Sequence, residues 1–340
     1  MLALAVVALS LGMGRFASAV AARSSMQRHE PSAWLLPRQE LDLHSRPIAR
    51  ESAGTFLGMA DELLLERIRK QPIVRVKVNK GGSSLSFRLD FADGSRAAFK
   101  PAQTNLQTIP RKEVAAYRLN RLLGLNAVPP AAPRAVTREE ILSHLHPDSV
   151  VHIPRIVSET IFAAAGTTQG AVSYWIPVIK DSGLDSGEAH AQTEQWLTVG
   201  QAIPPEKQGM MAQVSDMVVF DFLTSNPDRY SGGNMQMSAD GQKLFYMDNT
   251  LAFFVNDEAR EINRKALLRT QRFSRHLWDA LARLTEASLR AAIAEEPGVA
   301  VASVLTDAEC RAVVSRARFA RRYIRVLIEQ FGEEQVLTFP

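Results

Sequence analysis

Residues 216–254, DMVVFDFLTSNPDRYSGGNMQMSADGQKLFYMDNTLAFF, decide how the chain is read. Met210, Val214, Met217, Val218, Phe222 and Leu223 recur at three- and four-residue spacing, with Val219 and Phe220 filling other faces. That pattern predicts a helix buried nearly all round. It must stop at Asn226, because the residue before Pro227 is pushed out of the α region. Asp228 and Arg229 then open a loop directly off a rigid core element. Asp240-Gly241 signals a turn, and Leu244 to Met247 reads as a short buried strand that delivers Asp248 and Asn249 at its end.

A carboxylate in such a loop can orient an attacking hydroxyl and accept its proton. A loop amide and a second carboxylate at the next strand end can hold the metal on nucleotide phosphates. The candidates are Asp228 for the base, with Asn234 and Asp248 for the metal. The plain alternative is that Asp228 caps a turn and Asp248 a hairpin.

Working outward, Leu57 to Ile68 reads as one amphipathic helix, followed by three strand signals. Ile73–Val78 and Leu85–Phe91 alternate at period two, and Arg96 to Lys100 gives a third strand after the Asp93-Gly94 turn. The expected product is an antiparallel meander ending in Lys100. Gly81-Gly82 lies between its first two strands and could offer backbone N–H groups to a phosphate. A helix from Glu113 to Leu123 follows. Its glutamate can orient Lys100 or bind the metal, the alternative being a surface ion pair. Thr137 and Glu140 form a capping box opening a helix to about His146. Residues 171–179 read as a buried strand, 181–205 as loop, and 258–295 and 306–332 as long helices.

This order predicts an α+β, bilobal protein-kinase-like fold, with a β-rich N-lobe to about residue 170 and a mainly helical C-lobe over 171–340. Residues 1–22 resemble a secretory signal peptide, with an apolar run too short to span a membrane and A-x-A sites at 17–19 and 19–21. The missing positive n-region leaves a hydrophobic tail as the other reading. Residues 23–52 read as a polar tether, so the kinase domain is expected over 53–340.

Composition narrows the classes. The 340 residues are 46% hydrophobic with net charge +4, an ordinary globular chain. Basic residues are scattered without interleaved aromatics, which argues against nucleic acid as a partner. The single cysteine, Cys310, excludes an intrachain disulfide and reads as a core residue of the last helix. His144, His146 and His152 lack the further ligands of a tetrahedral metal site. Arg311, Arg316, Arg318, Arg321, Arg322 and Arg325 read as a solvated basic face. Of Asp216 and Asp221 on the buried helix, one is a candidate brace for the loop.

AAFKPAQTN, EVAAYRLNRLLGLNAVPPAAPR, DMVVFDFLTSNPDRY and FYMDNTLAFF together resemble the Golgi casein kinase and four-jointed group of secretory-pathway kinases, across roughly residues 72–256. The resemblance implies Lys100 on the nucleotide, Glu113 on lysine and metal, Asp228 as base and Asp248 as metal ligand. It implies ATP with Mn²⁺ or Mg²⁺, and an exported protein or a glycan as acceptor. Membrane association is then confined to an uncleaved N-terminus. Two departures stand out. The paired cysteines of the animal relatives are missing, which suggests a bacterial-type relative, and Tyr230 stands where a histidine commonly follows their Asp-Arg. Asn234 also lies six residues after Asp228, one more than in ordinary protein kinases. Rival readings are a lipid-kinase-like or HipA-type kinase, and a nucleotide-binding pseudokinase that acts as a partner-binding module.

Overall fold

The alternating residues of 73–101 fold as their period requires, into three antiparallel strands with Val76, Val78, Phe87, Leu89, Ala97 and Phe99 buried. The computed structural model describes residues 54–80, 82–256, 258–297 and 301–340. The expected leader over 1–22, the tether over 23–52 and Gly81 lie outside the described residues.

In chain order, a small hairpin of β1 (Thr55–Phe56) and β2 (Met59–Ala60) precedes α1 (Asp61–Lys70). The helix expected from Leu57 therefore starts four residues late. Leu57 and Gly58 both take positive φ, at 53° and 76°, which turns the chain before a helix can begin. Strands β3 (Ile73–Val78), β4 (Phe87–Phe91) and β5 (Arg96–Pro101) follow, then α2 (Arg111–Leu122). Next come β6 (Ala131–Thr137), α3 (Arg138–Ser143), α4 (Ile153–Glu159) and β7 (Thr167–Tyr174). The Thr137–Glu140 capping box forms, though α3 ends at Ser143.

Strand β7 begins four residues before the expected 171 and ends at Tyr174. It inserts between β5 and β6, giving the order β3-β4-β5-β7-β6 with every pairing antiparallel. Lys100 thus lies on a central strand, opposite Ala171. Helix α2 packs on this sheet with Val114, Tyr117 and Leu119 buried.

The remainder is mainly helical, with a second small sheet. Strand β8 (Ile179–Asp181) and helix α5 (Gly187–Trp196) occupy the stretch expected to be loop. Ser186 caps α5 through the Ala189 N–H, a signal hidden among the polar residues. Helix α6 (Gln208–Thr224) is the expected core element, buried without interruption from Val214 to Thr224. Strands β9 (Met235–Ser238) and β10 (Leu244–Tyr246) form a hairpin around Gly241, extended by β8.

The long helix expected over 258–295 is three: α7 (Glu261–Arg269), α8 (Arg275–Arg283) and α9 (Glu286–Ala294). Thr270 and Leu284 take extended backbone, and a Thr285–Ser288 capping box opens α9. After α10 (Val301–Val304), α11 (Asp307–Phe331) matches the expected helix and opens on a Thr306–Glu309 capping box. Cys310 is buried within it. Arg316 departs from the expected solvated face. It is fully buried and donates to the carbonyls of Leu223, Phe254 and Asn256, tying α11 to the strand-exit segment. Short α12 (Glu333–Val336) closes the chain.

Candidate active site

Helix α6 ends because Ser225 enters the left-handed region at φ 53°, and its N–H returns to Phe222. The chain leaves through Asn226-Pro227, and Asn226 Oδ1 accepts from the Asp228 N–H at 3.2 Å. Asp228 is thereby placed beside α6. Its carboxylate accepts from Ser231 Oγ and, at 3.2 Å, from Asn234 Nδ2, which also donates to the Asp228 carbonyl at 2.8 Å. The extra residue in the loop is accommodated by Gly232 and Gly233, both at positive φ.

Across a cleft between the five-stranded sheet and the helical part, Lys100 Nζ bridges two carboxylates. It stands 2.9 Å from Glu113 Oε1 and 2.5 Å from Asp248 Oδ1. The surface-pair alternative is excluded by geometry, since the Lys100 and Glu113 side chains are 14% and 8% exposed. Burial works against the ammonium, but Asp248 and then Glu113 outweigh it and hold Lys100 above the usual lysine range. Burial likewise opposes the Asp248 carboxylate, and the adjacent ammonium, with a hydrogen bond from Thr250 Oγ1 at 2.8 Å, holds it below the usual range. Asp248 leaves β10 at φ 50°, a backbone region that aspartate tolerates better than most residues.

Lys100, Glu113, Asn234, Asp248 and Gly82 line one cleft. Asp228 does not line it; it borders the cleft through Asn234. The roof is the turn between β3 and β4, closed by the Asn79 N–H on the Ser86 carbonyl and by Asn79 Nδ2 on Ser86 Oγ. Gln103 braces that turn from below, accepting from the Leu85 N–H and donating to its carbonyl. Ala98, Val128, Ile176 and Met247 give the cleft apolar walls.

The donor set suits a hard divalent cation on a polyphosphate. Two carboxylates and an amide oxygen offer oxygen ligands without a closed cage, and a lysine ammonium already sits between the carboxylates as a cation would. Among the described residues no three His, Cys, Asp or Glu side chains group to hold a metal alone.

No family model matches the chain. It is 23% identical to the human extracellular serine/threonine protein kinase FAM20C over 334 residues, covering 82% of this chain and 56% of the relative. It is 22% identical to human glycosaminoglycan xylosylkinase over 81% of this chain and 77% of the relative. Mouse FAM20A, named a pseudokinase, is 25% identical over 77% of this chain. Its fold superposes on the Golgi casein kinase bound to Mn and ADP with a TM-score of 0.66, at 14% identity, covering 93% of this chain and 87% of that one. On hydra Fam20 with sugar the TM-score is 0.67, at 17% identity, covering 87% and 97% of the two chains. The chain is similar to the Golgi casein kinases. Its fold is the α+β, kinase-like fold of that group.

The chain spans 56–57% of the length of the first two curated relatives it matches. Beside the expected residues, the cleft is braced by two that the sequence analysis left without a role. Arg229, 1% exposed, pairs with Asp221 and donates to the carbonyls of Asn234 and Met247. Asn249, fully buried, accepts from Arg229 Nη2 at 2.7 Å and donates to Glu113 Oε2 at 3.3 Å. The signal for the first was available, since an arginine beside Asp228 and an aspartate one helical turn before the helix end are both visible in the sequence. Asp216 is occupied elsewhere, accepting from Ser274 Oγ at 2.5 Å.

Proposed function

We propose that the chain transfers the γ-phosphoryl group of ATP to a hydroxyl of an exported protein or a glycan. The observation that carries this reading is the buried bridge of Lys100 to both Glu113 and Asp248, reached from one cleft that also holds Asn234. Lys100 contacts the phosphates, and Glu113 holds Lys100 in place. Asp248, with Glu113 and Asn234, provides oxygen ligands for Mn²⁺ or Mg²⁺. The ion supplies charge neutralisation of the phosphates when bound. Gly82, at φ 91° in the roof, presents backbone without a side chain to obstruct the nucleotide. The apolar walls accept the base.

Asp228 acts on the acceptor. Its carboxylate takes the hydroxyl proton as the acceptor oxygen bonds to the γ-phosphorus, and the bridging oxygen leaves with ADP. Ser231 and Asn234 hold that carboxylate at the edge of the cleft, where the acceptor can approach without crossing the nucleotide. Export is part of the same proposal, supported by the extracellular kinase among the relatives. Among the described residues no helix is long and apolar enough to cross a membrane.

The test is to incubate the purified chain with labelled ATP and Mn²⁺ or Mg²⁺, and separately with exported proteins and with glycans. Label on either acceptor, abolished by a chelator, is the expected result. Metal-dependent nucleotide binding without transfer to any hydroxyl would instead favour the pseudokinase reading; one of the relatives is named a pseudokinase.

A further inference from the structure

The helix that carries Glu113 is gripped on its opposite side by the C-terminal helices. Arg111, its first residue, forms a two-pronged pair with Glu309, with Nη1 to Oε2 at 2.7 Å and Nη2 to Oε1 at 2.8 Å, and also donates to the Val304 carbonyl at 2.7 Å. Arg118 donates through Nε to Glu296 Oε1 at 2.7 Å, with Nη2 2.6 Å from the same oxygen, and through Nη1 to Glu295. Glu296 has no exposed side-chain surface, and its other oxygen accepts from Arg69 Nη2 of α1 at 2.7 Å.

Helical geometry makes this arrangement specific. At about 100° per residue, Arg111 and Arg118 lie within roughly 20° of each other, whereas Glu113 lies about 200° from Arg111. One face of α2 therefore meets Lys100 while the opposite face is pinned, two turns apart, to Glu309 and Glu296. A helix held at two points can neither roll about its axis nor slide along it without breaking a hydrogen-bonded ion pair, buried at Arg118–Glu296 and half-buried at Arg111–Glu309. Glu309 is itself fixed, because it closes the capping box of α11 through Thr306.

We infer that Glu296 and Glu309, with Arg118 and Arg111, are positioning residues that lock Glu113 onto Lys100, so that the C-terminal helices act as a built-in activator of the nucleotide site. The inference rests on the proposed role of Glu113, but its test does not require turnover. Lys100 is gripped by Glu113 and Asp248; releasing α2 frees its amine to react. The rate of Lys100 acetylation by an amine-directed reagent is read by peptide mass spectrometry against exposed Lys70, in the full chain without nucleotide. Glu296→Gln removes the charge and one acceptor oxygen from one grip. Arg111→Met severs the other while leaving the Glu309 cap intact. Val336→Ala, a cavity variant in the last helix, controls for general loosening.

Lys100 labelling should rise about tenfold or more in Glu296→Gln and several-fold in Arg111→Met, with Val336→Ala near wild type, as local opening of α2 requires. Unchanged labelling in both grip variants would overturn the inference, as would an equal rise in Val336→Ala. Failure of wild-type protein to transfer phosphate would sink the proposed function while leaving this measurement intact.

Discussion

Arg229 and Asp221, eight residues apart, form a fully buried ion pair in which Nε stands 3.0 Å from Oδ2 and Nη2 3.0 Å from Oδ1. The pair joins the end of α6 to the loop that displays Asp228. The same guanidinium also bonds to Asn249, which touches Glu113. One arginine thereby couples the proposed base to the proposed metal side of the cleft.

Removing one partner strands a buried charge. Arg229→Met and Asp221→Asn are each expected to destabilise the fold by about 3–5 kcal/mol, and the double variant by less than the sum. Denaturant unfolding of the three variants checks this. Additive losses would mean that the two side chains do not act together.

Gly170 tests how closely Lys100 is held. A Cβ there would lie 2.4 Å from the Lys100 carbonyl oxygen and 2.4 Å from the Phe99 ring. Because one obstacle is backbone of the paired strand, Gly170→Ala must push β5 outward. The expected cost is about 1–3 kcal/mol, with weaker nucleotide binding through a displaced Lys100. Thermal melts and ATP titration provide the readouts.

Lys112, next to Glu113 on the helix, is buried, and burial pushes its amine down to about 8 despite nearby Glu309. Its folded value lies below the unfolded 10.5, so between about pH 8 and 10 the unfolded chain binds more protons and stability rises with pH. Lys112→Met should flatten that rise. Asp248 behaves in the opposite limb: its folded value is depressed, so its contribution is present above the unfolded 3.8 and lost as pH falls through the folded value. Asp248→Asn should remove that part of the acid transition. Unfolding free energies measured across pH for both variants decide the point.

Much of the fold was legible because local pattern and tertiary need agree. The period of two in 73–101, the all-round burial of 214–224 and the Thr137–Glu140 capping box each specify one outcome. The three-helix division of 258–295 was not legible, because its breaks at Thr270 and Leu284 carry neither glycine nor proline and arise from extended backbone within otherwise helical composition. Helix α5 was obscured by its weakly apolar sequence. At the site, Lys100, Glu113, Asn234 and Asp248 could be named from order along the chain, and the structure brings them to one cleft. The roles of Arg229 and Asn249 could not, since they depend on which buried groups meet once the loop and strand are packed. Arg316 shows the same limit: an arginine at that spacing looks solvent-facing until the carbonyls of 223, 254 and 256 converge on it.

Lys100→Ala should lower ATP affinity while the fold persists, because the sheet around it is held by backbone pairing and apolar packing. Glu113→Ala should lower it as well, through loss of the Lys100 brace and of an oxygen ligand. Calorimetric titration with ATP and Mn²⁺ measures both, and unaltered affinity in the pair would remove this bridge from the nucleotide site.

The most direct test separates the two aspartates. Asp228→Asn keeps size and hydrogen bonding but removes the base, so phosphoryl transfer should fall by about 10²–10⁴-fold while metal-dependent ATP affinity stays near wild type. Asp248→Asn removes a charged oxygen ligand and should lower metal-dependent binding and turnover together. Transfer rates and Mn-ATP affinities are measured for both, with circular dichroism confirming equal folding. Wild-type transfer by both variants would contradict the account, because this cleft would then not be the active site.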